Sequence, residues 1–167
     1  TRLHLASNKI DDEGVEILVD VLKNNTSLEV LNLLSYGISK QGQIMLLKLV
    51  NNISSITATL QSNHSLKGLY VDPLVTDINI QAHIRMATDI NRKEGNPAAA
   101  ARAKVIKTQL DSRKRAKLAE LQGVGKSLYS EINPLHLPEV IALVGKNHDQ
   151  GELYVALKSS IAGVIST

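Results

Sequence analysis

Leu3-His4-Leu5-Ala6-Ser7-Asn8-Lys9-Ile10 and Leu31-Asn32-Leu33-Leu34-Ser35-Tyr36-Gly37-Ile38 stand 28 residues apart and agree in residue type at most positions. The agreement runs on downstream. Gly14 matches Gly42, Ile17 matches Met45, Leu18 matches Leu46, Val21 matches Leu49 and Leu22 matches Val50. Leu3 and Leu5 alternate at strand period, so a short strand sends both to one side. Asn8 follows where the chain must turn, and its amide can satisfy backbone groups that the turn leaves unpaired. Val15, Leu18, Val21 and Leu22 recur at helix spacing, which predicts an amphipathic return helix. Such a unit cannot bury its apolar side alone and has to stack on another.

A third copy is worn. Leu60-Gln61-Ser62-Asn63-His64-Ser65-Leu66 echoes Leu22-Lys23-Asn24-Asn25-Thr26-Ser27-Leu28, and Leu66–Val71 echoes Leu28–Leu33, now at an offset of 38. Ten extra residues therefore lie within 43–60, where Asn51-Asn52-Ile53-Ser54-Ser55 reads as a loop or a lengthened helix. The third copy breaks at Asp72-Pro73-Leu74 and lacks the turn Asn, and Tyr36 takes that Asn position in the second. A degraded last unit is expected where an array ends.

The pattern L-x-L-x-x-N-x-I, with its following Gly and helix, resembles the ribonuclease-inhibitor-type leucine-rich repeat family over residues 1–71. That resemblance implies an α/β horseshoe of strand–helix repeats with a parallel sheet on its concave face. The expected organisation is a repeat region at 1–76 and an all-α C-terminal cap at 77–167. The second half is similar to helical extensions that follow leucine-rich repeats in algal proteins, a resemblance that carries no activity. In that half Asp77 can cap a helix through Ile80, Ile84 and Ala87 that ends at Gly95. Asn96-Pro97 starts another, with Asn as cap and Pro at the first helical position. Asp111 or Ser112 opens a third, ending at Gly123 with Leu118 and Leu121 inward. Glu139–Val144 reads as a short helix, and Leu153, Leu157, Ile161 and Val164 form a final apolar stripe after an Asp149–Glu152 capping box.

On the implied horseshoe, the positions between the core leucines stack into columns: Arg2, Val30 and Gly68; His4, Asn32 and Tyr70; Ala6, Leu34 and Asp72. Their mixture of apolar, aromatic and hydrogen-bonding groups suits a protein-binding face. The expected function is a non-catalytic scaffold binding a protein through Arg2, His4, Val30, Asn32, Leu34, Tyr70 and Asp72. A second class of function comes from charge. Residues 98–122 carry Arg102, Lys104, Lys107, Arg113, Lys114, Arg115 and Lys117 against Asp111 and Glu120, a net +5, while the remainder is −2. That stretch is the alternative site, for nucleic acid or an anionic surface. Stacking aromatics are absent nearby, the closest being Tyr129, so an exposed, solvated helix face is the expectation there.

Other motifs lead nowhere catalytic. Gly123-Val124-Gly125-Lys126-Ser127 looks like the end of a phosphate-binding loop, but Glu120 occupies the position of its first Gly and would repel phosphate. The reading preferred is a helix C-cap. His4, His64, His83, His136 and His148 are scattered, and none pairs at metal-ligand spacing. Asn24, Asn25, Asn52 and Asn63 each begin an N-x-[ST] sequence, read here as turn chemistry rather than glycan acceptors. No nucleophile stands in an activating context, so neither enzyme activity nor a cofactor or metal is expected. With no Cys in the chain and no disulfide to cap the repeats, a cytoplasmic location is expected. No stretch is long and apolar enough to span a bilayer. The chain opens within the repeat pattern and without a signal sequence, and reads as the C-terminal part of a longer protein.

Overall fold

The structure is a computed structural model, and it describes residues 1–34, 37–72, 77–110 and 112–124. The Tyr36 position, the Pro73-Leu74 break, Gly125-Lys126-Ser127, the 139–144 helix and the 153–164 stripe lie outside them.

The described chain alternates strand and helix before becoming helical. It runs β1 (Arg2–His4), α1 (Asp12–Lys23), β2 (Val30–Leu33), α2 (Lys40–Val50), α3 (Ile56–Leu60), β3 (Gly68–Val71), α4 (Ile78–Glu94), α5 (Pro97–Lys104) and α6 (Ser112–Gln122). A π-helical segment, Val105–Leu110, joins α5 to α6. The strands form one parallel sheet in the order β1-β2-β3, with Arg2 beside Val30 beside Gly68 and His4 beside Asn32 beside Tyr70.

This is not a leucine-rich repeat horseshoe. Among the described residues the sheet holds three short strands, and no solenoid of repeated strand–helix units is evident. The physical reason is visible in the lengths. The two crossovers differ, because α3 and its flanking loops are inserted into the second. After β3 the chain does not repeat the unit: the 17-residue α4 packs against β3 and α2 instead. A concave face built from many strands is therefore absent from the described residues, and what remains is one open side of a small sheet.

Caps fix the helix ends. Asp11 accepts from the Gly14 N–H, Ser39 from Gln41, Ser55 from Ala58, Asp77 from Asn79 and Asn96 from Ala98 and Ala99. Each satisfies a first-turn amide that has no intrahelical partner. Gly95 and Gly123 end α4 and α6 with φ of +64°, the left-handed conformation a helix stop requires.

Leu31 and Leu33 of β2 point into a single apolar cluster with Leu46, Leu47 and Val50 of α2. Ile80, Ile84 and Ala87 of α4 and Leu118 and Ala119 of α6 belong to the same cluster. Core packing thus continues across Asp77. α4 also ties down the chain entering β3. Asn91 Nδ2 donates to Leu66 O at 2.6 Å, and Arg92 Nη2 donates to Lys67 O at 2.8 Å. These bonds occupy carbonyls that an uncovered edge would offer to another strand.

Candidate functional site

Strand alternation sends Leu31 and Leu33 inward, so their neighbours face the other side of the sheet. There, Arg2 and His4 are exposed, Val30 and Asn32 half-buried, Leu34 38% exposed and Tyr70 52% exposed. Leu34 and Tyr70 are large side chains left in water on a face the core does not need. Asn32 Oδ1 accepts from the Leu34 N–H at 3.1 Å, which fixes the chain as it leaves β2. Gly68, buried beneath, explains how Tyr70 lies. A Cβ at position 68 would come within 3.2 Å of Tyr70 Cε2 and 3.4 Å of its hydroxyl oxygen. The ring therefore rests across the glycine instead of standing free.

Beside Tyr70 the sheet meets α4 in a groove of about 410 Å³. Leu34, Tyr70 and Val71 form one wall, and Ile84, Arg85 and Arg92 stand on the other. Arg92 is held by Asp89 at 2.7 Å as well as by Lys67 O, so its position is set before anything binds. At the opposite end of the strands Lys67 pairs with Glu29 and holds that carboxyl below its usual range. Asp72 does not join this face. It is 6% exposed, at odds with its expected place in the third column.

The basic stretch is only in part the solvated face expected of it. Arg102, Lys107, Lys114 and Lys117 are exposed, and Arg113 lies on α6, but Lys104 and Arg115 are buried. Lys104 Nζ donates to Val50 O at 2.5 Å and Asn63 O at 3.2 Å, with His64 Nδ1 at 3.1 Å. Arg115 Nη1 donates to Ile53 O at 3.2 Å. The two cations serve carbonyls at the end of α2 and in the segment that follows it. Burial pushes the Lys104 ammonium down to about 7, and burial and the neighbouring Lys104 push His64 down to about 4.

The N-x-[ST] asparagines are turn residues here. Asn25 Oδ1 accepts from Ser27 and Leu28, and Asn63 Oδ1 from Ser65 and Leu66. Asn63 is only 3% exposed, so a glycan could not be accommodated on its folded side chain. Among the described residues no group of three His, Asp or Glu is placed to hold a metal ion, and no helix is long and apolar enough to cross a membrane. Sequence reasoning missed Arg85 and Arg92, because only the packing of α4 on β3 brings them to the sheet.

Comparison with family models, with curated proteins and with solved structures finds no match.

Proposed function

We propose that this chain is a non-catalytic interaction module that binds a protein partner across the open side of its three-stranded sheet. The observation that carries this reading is Tyr70 lying over Gly68, exposed beside Leu34 at the mouth of the α4 groove. An aromatic whose position is set by its own backbone loses little rotamer freedom on binding, and aromatic anchors dominate interface energies. Arg2, His4 and Asn32 supply a polar surround of the kind that rims such anchors. Nucleic-acid binding through 102–117 is the weaker reading, since Lys104 and Arg115 are already engaged with backbone carbonyls.

A photo-crosslinking residue at position 70 identifies the partner, and binding of that partner is then measured with Tyr70→Ala and Leu34→Ala. The expected loss for Tyr70→Ala is about 2 kcal/mol. Unchanged affinity in both variants, with unfolding temperature preserved, removes this face from consideration.

A further inference from the structure

On the far side of the Arg85 row from the sheet groove, α4 has a second face that is open, among the described residues, at Ile78 and Ala82. Two rows run along it at four-residue spacing. Ile78, Ala82, Met86 and Ile90 make an apolar row, exposed at Ile78 and Ala82, half-buried at Met86 and buried at Ile90, and Gln81, Arg85, Asp89 and Lys93 make a polar one. Residues four apart lie one above another on a helix, so each row is continuous. Lys107, from the π-helical segment, closes the other side and turns the face into a groove of about 510 Å³. Ile78 is 77% exposed, and Ala82 is exposed beside it.

The groove has a definite sign. Arg85, Lys93 and Lys107 are exposed, and none makes an ion pair among the described residues. The one acid in the row, Asp89, is already paired with Arg92. Arg85 and Lys93 are eight residues apart, about 12 Å along the helix axis. Carboxylates two turns apart on a second helix have the same separation.

We propose that this groove docks an acidic amphipathic helix of a partner protein. Its apolar side would lie on Ile78, Ala82 and Met86, and its carboxylates would reach Arg85, Lys93 and Lys107. A helix with one apolar and one acidic side matches this pairing of an apolar row with cations from α4 and Lys107. Asp89, between the two cations of the polar row, disfavours a uniform layer of phosphates. Arg85 borders both grooves, whereas Ile78, Met86 and Lys107 line this one and not the sheet groove.

The test uses the full chain and three fluorescently labelled helical peptides of about 16 residues, enough to span the rows. One has leucines on one side and glutamates on the other. The second carries lysines in place of the glutamates, and the third keeps the glutamates but replaces the leucines with glutamines. Anisotropy titration at low salt should show saturable binding of the first alone, weakening as salt is raised. The double variant Arg85→Glu/Lys107→Glu should lose binding of the acidic peptide by about tenfold or more, as expected when charge complementarity is reversed. Met86→Gln should weaken it without altering salt dependence, and Tyr70→Ala should leave it unchanged. The proposal is overturned if the acidic and basic peptides bind alike, or if charge reversal at Arg85 and Lys107 has no effect. It is also overturned if the chain binds phosphatidylserine vesicles but not the acidic peptide. Circular dichroism of each variant confirms that the fold is intact.

Discussion

Lys104 Nζ donates to the carbonyl oxygen of Val50, the last residue of α2, at 2.5 Å. A helix C-terminus carries unpaired carbonyls and partial negative charge, and a cation there satisfies both. The same ammonium reaches Asn63 O, so one side chain joins α5 to the end of α2 and to the turn before β3. Lys104→Met keeps much of the volume but removes the donor to the Val50 carbonyl and leaves Asn63 O with only the Asn91 amide at 3.3 Å, at a cost of about 1–3 kcal/mol. Lys104→Ala adds a cavity and should cost more, about 2–5 kcal/mol. Urea unfolding measures both. A Met variant as stable as the parent would show that the buried hydrogen bonds contribute nothing net.

The same site gives the molecule a pH dependence. His64 titrates near 4 in the folded chain against 6.5 when free, so its neutral form is the one the fold accommodates. The unfolded chain binds the extra proton first, and stability falls as pH drops from about 6.5 toward 4. Lys104 titrates near 7 in the fold against 10.5 when free, and stability rises as pH climbs from about 7 toward 10.5. Both groups thus make the unfolding temperature increase with pH. Between pH 5 and 9, an interval of about four units centred on neutrality, His64→Gln should flatten the acidic limb and Lys104→Met the alkaline one. A parent curve that is level over this range refutes the assignment.

Much of the local structure is legible in the residues. The alternation of Leu31 and Leu33 places β2, and the Asn96-Pro97 and Gly95 signals place the α4–α5 junction where it occurs. The similarity of residues 3–10 to 31–38 correctly suggests two parallel strands in register, yet it overstates the architecture. Similarity between neighbouring segments reports local conformation, whereas a horseshoe needs the unit to recur. The basic stretch misleads for a different reason: net charge carries no helical phase. Ala100, Ala101, Lys104, Val105 and Thr108 form one buried stripe, and Arg115, Leu118, Ala119 and Gln122 form another. At helix spacing each cation falls on the apolar side, a signal present in the sequence. What they bind is not legible there, because the carbonyls of Val50 and Ile53 are brought to them only by tertiary packing.

Gly42 sets the approach of α2 to α1. A Cβ there would collide with Asp12 Oδ1 and stand 2.8 Å from Ile38 Cγ2. Asp12 cannot simply swing away, because it accepts from the Ser39 N–H at 2.8 Å and from the Ser39 hydroxyl at the start of α2. Ile38 is buried at 2% exposure and is equally confined. Gly42→Ala should therefore destabilise by about 1–3 kcal/mol through overpacking, although alanine is the better helix former. Gly42→Ala combined with Asp12→Ala should recover part of the loss. Thermal unfolding of the three variants decides, and an alanine at 42 that raises the midpoint would mean the helices can move apart freely.

Asn25 and Asn63 occupy matching turns, and their unequal surroundings predict unequal costs. Each accepts two backbone N–H groups through Oδ1. Asn63 does more. Its Nδ2 donates to Leu22 O at 2.8 Å and to Asn25 O at 3.0 Å, binding the β3 turn to the end of α1 and to the preceding turn. It is buried, so those four groups have no ready access to water once the side chain is removed. Asn25→Ala, at a half-buried site, should cost about 1 kcal/mol, whereas Asn63→Ala should cost about 2–4 kcal/mol. Asn63→Asp gives the sharper result. It keeps the acceptor for Ser65 and Leu66 but turns a second, charged oxygen toward the Leu22 and Asn25 carbonyls. Desolvated and facing other acceptors, that carboxylate raises its own pKa, and the variant should regain stability on acidification toward pH ~5, where the parent loses it. Urea midpoints at neutral and mildly acidic pH read the sign of the difference directly. Equal costs at positions 25 and 63, or an Asn63→Asp variant that weakens in parallel with the parent on acidification, would show that the two donor bonds to α1 and the preceding turn do not hold this segment in place.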